Sequence, residues 1–231
     1  MSTLYVVGTP IGNLGDITLR ALEVFKSVDY VLCEDTRVTA KLLHKYEISR
    51  PTISYHSHSD LSKVDHIISL LKDGKNLALV SDAGTPGISD PGSLLVSQVS
   101  GALGDEVKIV AIPGPSALVS ALSISGAPSS DFLFLGFLPH KKGRETLFRE
   151  IADSKRTVAF YESPHRIEKA LASLQKHFTE NKMEGRKIAV ARELTKVFEE
   201  CVSGTASELI AHFQNHQDTV RGEFVVVVFP K

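Results

Sequence analysis

Short apolar runs alternate with amphipathic stretches along this 231-residue chain, and that alternation admits few folds. An apolar run of about four to six residues has the length of a buried strand. Stretches with apolar residues three and four apart present one face of a helix. Residues 4–8, 30–33, 77–81 and 107–112 read as strands. A first helix is expected after Asp16, its cap, with Ile17, Leu19, Leu22 and Val24/Phe25 on the apolar side. Residues 36–46 form a second, with Leu42, Leu43 and Tyr46 on one side. A third covers 60–72 and stops at Gly74, and a fourth covers 93–102. Strand and helix in strict turn imply a largely parallel sheet covered by helices.

The pattern restarts after Pro113-Gly114-Pro115. Helices are expected at 116–125, 144–152, 164–178 and 207–215, and strands at 132–137, 157–161, 187–191 and 223–229. This half has fewer clean strand–helix units and more strand near its end, which suits a mixed sheet. The fold class is therefore α/β: an N-terminal domain over residues 1–113 with a mostly parallel sheet, and a C-terminal domain over 114–231 with a mixed one.

Composition narrows the setting. Hydrophobic residues are 42% and charged residues 23% of the chain, ordinary for a globular protein. No apolar run approaches the roughly 18 residues of a spanning helix, so no membrane partner is expected. Met1-Ser2-Thr3-Leu4 leads directly into a strand, without a basic segment or a cleavage site. Cys33 and Cys201 are too few and too far apart for a disulfide framework. The cytoplasm is the expected compartment. A net charge of −1 argues against binding nucleic acid through one large basic face, and leaves room for a local patch.

Three strand–helix connections are rich in Gly and Pro. The first, Gly8-Thr9-Pro10-Ile11-Gly12-Asn13-Leu14-Gly15-Asp16, lacks both G-x-G-x-x-G spacing and the Lys-Ser/Thr of a P-loop. It is therefore neither a dinucleotide fingerprint nor an NTPase loop, and a plain tight turn is the competing reading. The second spans residues 82–92, of which five of eleven are Gly or Pro. That is longer than most such connections, and the end of a strand is where open α/β sheets bind ligands. Asp82 and Asp90 flank it; each also suits a turn or cap. The third, Pro113-Gly114-Pro115-Ser116-Ala117, places Ser116 as an N-cap rather than in a G-x-S-x-G elbow.

These loops carry a resemblance. With them, in order, stand Glu34-Asp35-Thr36-Arg37, Phe134-Leu135-Gly136-Phe137-Leu138-Pro139, Tyr161-Glu162-Ser163-Pro164-His165-Arg166, Ala191-Arg192-Glu193-Leu194-Thr195-Lys196 and Arg221-Gly222-Glu223-Phe224. The set resembles the tetrapyrrole-methylase-like superfamily of S-adenosylmethionine-dependent methyltransferases. Within it, the set looks like the branch that methylates a cytidine 2′-hydroxyl of 16S ribosomal RNA. The resemblance spans nearly the whole chain. It implies two α/β domains with the cofactor in the cleft between them, a homodimer, and 16S rRNA or the 30S subunit as partner. It implies S-adenosylmethionine held near Pro10, Asp82, Thr85, Ser116, Ala117, Tyr161 and Ala191, with Gly222 and Glu223 beside them. No metal and no covalent intermediate are expected. Members of the branch typically continue past the last strand into a small helical region, whereas this sequence stops at Lys231.

Methyl transfer to a hydroxyl is a direct displacement, so positioning and a base for the hydroxyl proton are what a protein must add. Glu34, Asp35, Glu162 and Glu193 are candidates for the base. Arg37, Arg166 and Arg192 are candidates for orienting phosphate or ribose oxygens. Each has a plainer alternative: Asp35 or Ser163 as an N-cap, Glu193 and Lys196 as a surface pair. Residues 138–144 form the best basic patch, and Arg37, Lys41, Lys45 and Arg50 a second. Two readings compete: a methylase of a tetrapyrrole-like small molecule, and a non-catalytic binding module. His56-Ser57-His58-Ser59-Asp60 resembles the start of a metallohydrolase site, but Leu61 stands where a further histidine is needed.

Overall fold

A computed structural model describes residues 1–56 and 61–231. The chain divides into two compact units, Met1–Ser116 and Ala117–Lys231. Ser57, His58, Ser59 and Asp60 of the histidine motif lie outside the described residues.

The first unit contains β1 (Ser2–Val7), α1 (Leu19–Ser27), β2 (Tyr30–Cys33), α2 (Thr36–Lys45), β3 (Thr52–Ser54), α3 (Leu61–Lys72), β4 (Leu77–Leu79), α4 (Gly92–Leu103) and β5 (Val107–Ile112). All its strand pairs are parallel, in the order β3-β2-β4-β1-β5. Successive side chains alternate between two cores, because a strand's residues point to opposite faces. Val31, Cys33, Ala78 and Val80 join Val24, Phe25, Leu42 and Leu43 of α1 and α2. Leu32, Leu77 and Leu79 join Ile67, Leu71, Leu95 and Val99 of α3 and α4. Burial on both faces is the reason these strands read as unbroken apolar runs. Parallel pairing also brings every strand's carboxyl end to one edge. The loops after β1, β2, β4 and β5 meet there.

The second unit contains α5 (Ala117–Ser125), β6 (Phe132–Phe137), α6 (Arg144–Asp153), β7 (Thr157–Glu162), α7 (Ile167–Glu180), β8 (Ile188–Arg192), β9 (Glu200–Gly204), α8 (Ala206–Asn215) and β10 (Phe224–Val228). The sheet order is β6-β7-β10-β8-β9; only β6 and β7 pair in parallel. One face buries Phe160, Val190, Phe224 and Val226 against Phe148 of α6, Leu174 and Phe178 of α7 and Phe213 of α8. Helix α5 packs on β8, β9 and β10.

Asp16 does not cap α1. Asn13 accepts from the Gly15 N–H at 3.0 Å and starts a 3-10 turn over Leu14–Asp16. Thr18 then caps the helix, accepting from the Ala21 N–H at 3.1 Å. Helix α7 begins at Ile167 rather than at 164, because residues 163–166 form a turn with the Arg166 N–H on the Ser163 carbonyl. Strands β3 and β9 escaped the sequence reading: one has three residues, and the other mixes Glu200 and Ser203 with few apolar positions. No helix among the described residues is long and apolar enough to cross a membrane.

Candidate active site

At the carboxyl edge of the first sheet, backbone contacts join three loops into one rim. The Gly8 N–H donates to the Ile112 carbonyl at 3.1 Å. Thr9 and Gly84 exchange two backbone hydrogen bonds, of 2.8 and 3.0 Å. The buried Thr9 hydroxyl donates to the Ser81 carbonyl at 3.2 Å. The Thr85 hydroxyl reaches the Pro115 carbonyl at 3.4 Å. Where the rim closes, Gly8 and Gly114 touch: a Cβ on Gly8 would lie 2.8 Å from the Gly114 Cα. Only glycine permits that approach.

Asp90 shapes the long loop from within. Its carboxylate accepts from the Gly87 N–H at 2.8 and 2.9 Å and from the Gly92 N–H at 2.7 Å. Gly84 at φ 80°, Gly87 at φ 89° and Ser89 at φ 67° take left-handed conformations along the same loop. A left-handed non-glycine residue is costly and concentrates at functional loops.

Asp82 ties this loop to the turn after β2, accepting from the Asp35 N–H at 3.0 Å. Asp35 caps α2, accepting from the Arg37 N–H at 2.8 Å. The Arg37 guanidinium grips the same carboxylate, with its nearest contact at 2.6 Å. That side-chain bond comes first, and the backbone bond second, in holding Asp35 down to about 2. Asp35 is thus ionised at neutral pH, and Arg37 is 86% exposed beyond it.

Glu34 behaves in the opposite way. Burial pushes its carboxyl up from 4.5, and the negative charges of Asp82 and Asp90 push it further. The Asp82 backbone N–H bonds it and partly offsets the rise. Glu34, Asp82 and Asp90 therefore make this edge negative, a field that favours a cationic ligand. Beside them lies a cavity of about 290 Å³, lined by Thr9, Pro10, Ile11 and Gly12, by Val38, Lys41 and Leu42 of α2, and by Asp82 and Ala83. Pro10 and Asp82 thus share one pocket. Ser116 ends this unit, and Ala117 opens α5 of the next.

In the second unit, a β-bulge between Phe134 and Phe137 shifts the register of β6 on β7. Both rings consequently meet Tyr161, with centroids 5.0 and 5.2 Å away. Burial pushes the Tyr161 phenol up; the Leu118 backbone N–H, in the first turn of α5, pulls it back, and Glu223 adds to the rise. Ala191 lies buried in β8 between Val225 and Cys201.

Glu162, next along β7, is fully buried. Arg144 meets it at 2.5 Å and Arg166 at 2.8 Å, and the Ser163 N–H donates at 2.8 Å. Arg192 is also enclosed, its Nε 2.6 Å from Glu200, whose other oxygen lies 3.2 Å from His212 Nε2. Glu193 holds φ 48° and receives Lys196 at 2.8 Å. Its Oε1 occupies the space that a side chain at Gly222 would take.

The seven candidate residues thus fall into two groups. Glu34, Asp35 and Arg37 share the acidic edge of the first unit. Glu162, Arg166, Arg192 and Glu193 are each engaged by a cation or carboxylate within the second. Sequence reasoning passed over Thr9, which stitches two loops, and placed Arg144 only in a basic patch. Glu162 ends β7 and Arg166 lies in the turn before α7, so neither the spacing of four between them nor the eighteen residues from Arg144 to Glu162 marks an ion pair in the sequence. Among the described residues, no group of three His, Cys, Asp or Glu is placed to hold a metal ion.

The model of the tetrapyrrole (corrin/porphyrin) methylases matches residues 3–210. A ribosomal RNA small subunit methyltransferase I of Synechocystis sp. is 44% identical over 99% of this chain and 79% of its own length. The protein of that name from Thermotoga maritima is 42% identical over the full length of both chains. Among solved structures, the methyltransferase CobJ superposes with a TM-score of 0.69 at 19% identity, covering 100% of this chain and 95% of its own. A cobalt precorrin-4 methyltransferase, CbiF, does so at 0.66, with 18% identity over 98% and 94%. The structural likeness establishes the fold, and the family match over most of the sequence establishes descent: the chain belongs to the tetrapyrrole (corrin/porphyrin) methylase family.

Proposed function

We propose that this protein methylates RNA of the small ribosomal subunit, at a cytidine ribose 2′-hydroxyl of 16S rRNA, with S-adenosylmethionine as donor. The names of relatives at 42–47% identity across nearly the whole chain support the RNA substrate. A ribosomal substrate would place the work in the cytoplasm.

The observation that carries the chemistry is Glu34, a carboxyl raised by burial beside two further carboxylates at the mouth of a glycine-lined rim. The rim suits the donor: its loops are held together by the Gly8–Gly114 contact, and the negative edge suits a positive sulfonium. Pro10, Asp82, Thr85 and Ser116 would hold it on this rim. When bound, S-adenosylmethionine supplies a methyl group already activated on sulfur. Glu34 takes the proton of the attacking hydroxyl, since a carboxyl raised toward neutrality is a better base than an ordinary one. Asp82 and Asp35 fix the turn that carries Glu34. Glu162 acts through the arginines it holds, without touching substrate.

Transfer of radiolabelled methyl from S-adenosylmethionine tests the assignment. The acceptors are 30S subunits lacking the modification, free 16S RNA and a tetrapyrrole precursor. The expected product is label in RNA at a linkage resistant to alkaline cleavage, as a 2′-O-methyl group makes it. Label in the tetrapyrrole with none in either RNA would overturn the assignment.

A further inference from the structure

The loops at the carboxyl ends of β6 and β7 carry a built surface that methyl transfer does not explain. One enclosed carboxylate, Glu162, receives both Arg144 and Arg166. The same guanidiniums donate to the Pro139 and Leu138 carbonyls, each at 3.2 Å. The basic segment 138–144 is thereby tethered at both ends to β7. One negative charge balances only one of the two positive ones. Lys141 and Lys142 stand exposed at the crest of the segment. At its foot Phe137 is 42% exposed, its ring braced against Tyr161 at 5.2 Å.

A large exposed ring beside fixed positive charge is the arrangement that binds single-stranded nucleic acid: bases stack on the ring, and ammonium groups follow the phosphates. Tethering the segment before the ligand arrives lowers the cost of ordering it. We infer that this surface seats a single RNA strand, with phosphates on Lys141 and Lys142 and one base on the exposed part of the Phe137 ring. The inference rests on the RNA reading above and adds to it the part of the chain that holds the strand.

The test combines binding of a short fluorescent oligocytidine with methyl transfer to 30S subunits. The double variant Lys141→Gln/Lys142→Gln lowers the slope of log affinity against log salt by about 1.4, the value for two phosphates of a single strand. It raises KM for subunits and leaves kcat and S-adenosylmethionine affinity unchanged. Lys176→Gln/Lys182→Gln removes the same charge at the far end of α7 and changes neither. Phe137→Ala weakens oligocytidine binding by roughly tenfold to hundredfold, and Phe137→Trp retains it. An unchanged slope and KM in the lysine variant would overturn the inference. So would a Phe137→Ala effect confined to S-adenosylmethionine affinity, or equal binding of a duplex. If the wild-type protein methylates a tetrapyrrole and no RNA, the functional reading falls as well. If it methylates subunits and the variants match it, this inference alone falls.

Discussion

Gly8 and Gly114 meet backbone to backbone: a Cβ on Gly8 would stand 2.8 Å from the Gly114 Cα, and one on Gly114 would stand 2.7 Å from the Gly8 carbonyl oxygen. Neither neighbour is a flexible side-chain tip, so neither can give way without moving a strand end. The contact joins the loop after β1 to the loop after β5, on adjacent parallel strands.

Gly8→Ala and Gly114→Ala should each push these loops apart. Overpacking of this kind costs about 1–3 kcal/mol. Thermal unfolding measures that cost, and calorimetry should show S-adenosylmethionine affinity falling in both variants. Gly101→Ala, with open space around its Cβ position in α4, serves as the comparison and should bind as the wild type does.

Glu162→Gln should be severely destabilising. The amide keeps the shape but leaves Arg144 and Arg166, 11% and 17% exposed, without a counter-charge. Removing one partner of a buried ion pair costs about 3–5 kcal/mol. Urea unfolding of the variant measures it; a loss below 1 kcal/mol would show that solvent reaches the cluster.

Glu34 links stability to activity in opposite senses. Its folded pKa lies above 4.5, so the folded state favours the proton. Its stabilising contribution is complete below that value and is lost as pH rises through the folded pKa. Glu34→Gln should therefore unfold at a higher temperature than the wild type near neutral pH, with the gap closing below pH 4.5. The same substitution should lower kcat by about 10²–10⁴ and remove the acidic limb of the rate profile. That limb should be shifted upward from that of an ordinary glutamate in the wild type.

Gly222 and Glu193 should be energetically coupled. Gly222→Ala meets the tip of the Glu193 side chain and holds φ 72° besides. The left-handed backbone alone costs an alanine on the order of 1 kcal/mol, and turning the Glu193 carboxylate away from Lys196 adds to it. In a Glu193→Ala background the clash is gone and only the backbone cost remains. A double-mutant cycle on unfolding free energies should show coupling of at least about 0.5 kcal/mol.

A strand buried on both faces, such as β2, was legible to the residue because an unbroken apolar run bounded by turn residues has few other uses. The start of α1 was misread, since Asn13, Asp16 and Thr18 are all competent caps and only the folded loop selects Thr18. Edge strand β9 stayed hidden because its Glu200 is justified by Arg192 and His212, partners that sequence spacing does not reveal.

Local chemistry was thus enough for the strand–helix order, the glycine-rich loops and the family to which their succession belongs. Those features rest on residues close in the chain, where propensity and turn geometry act. The distinct settings of the carboxylates came only with folding. Asp35 is held ionised by Arg37, Glu162 is locked by two guanidiniums, and Glu34 is raised by burial and then by Asp82 and Asp90. Burial and charge act through space, and except for Asp35 and Arg37 the partners that matter most lie on different strands and loops.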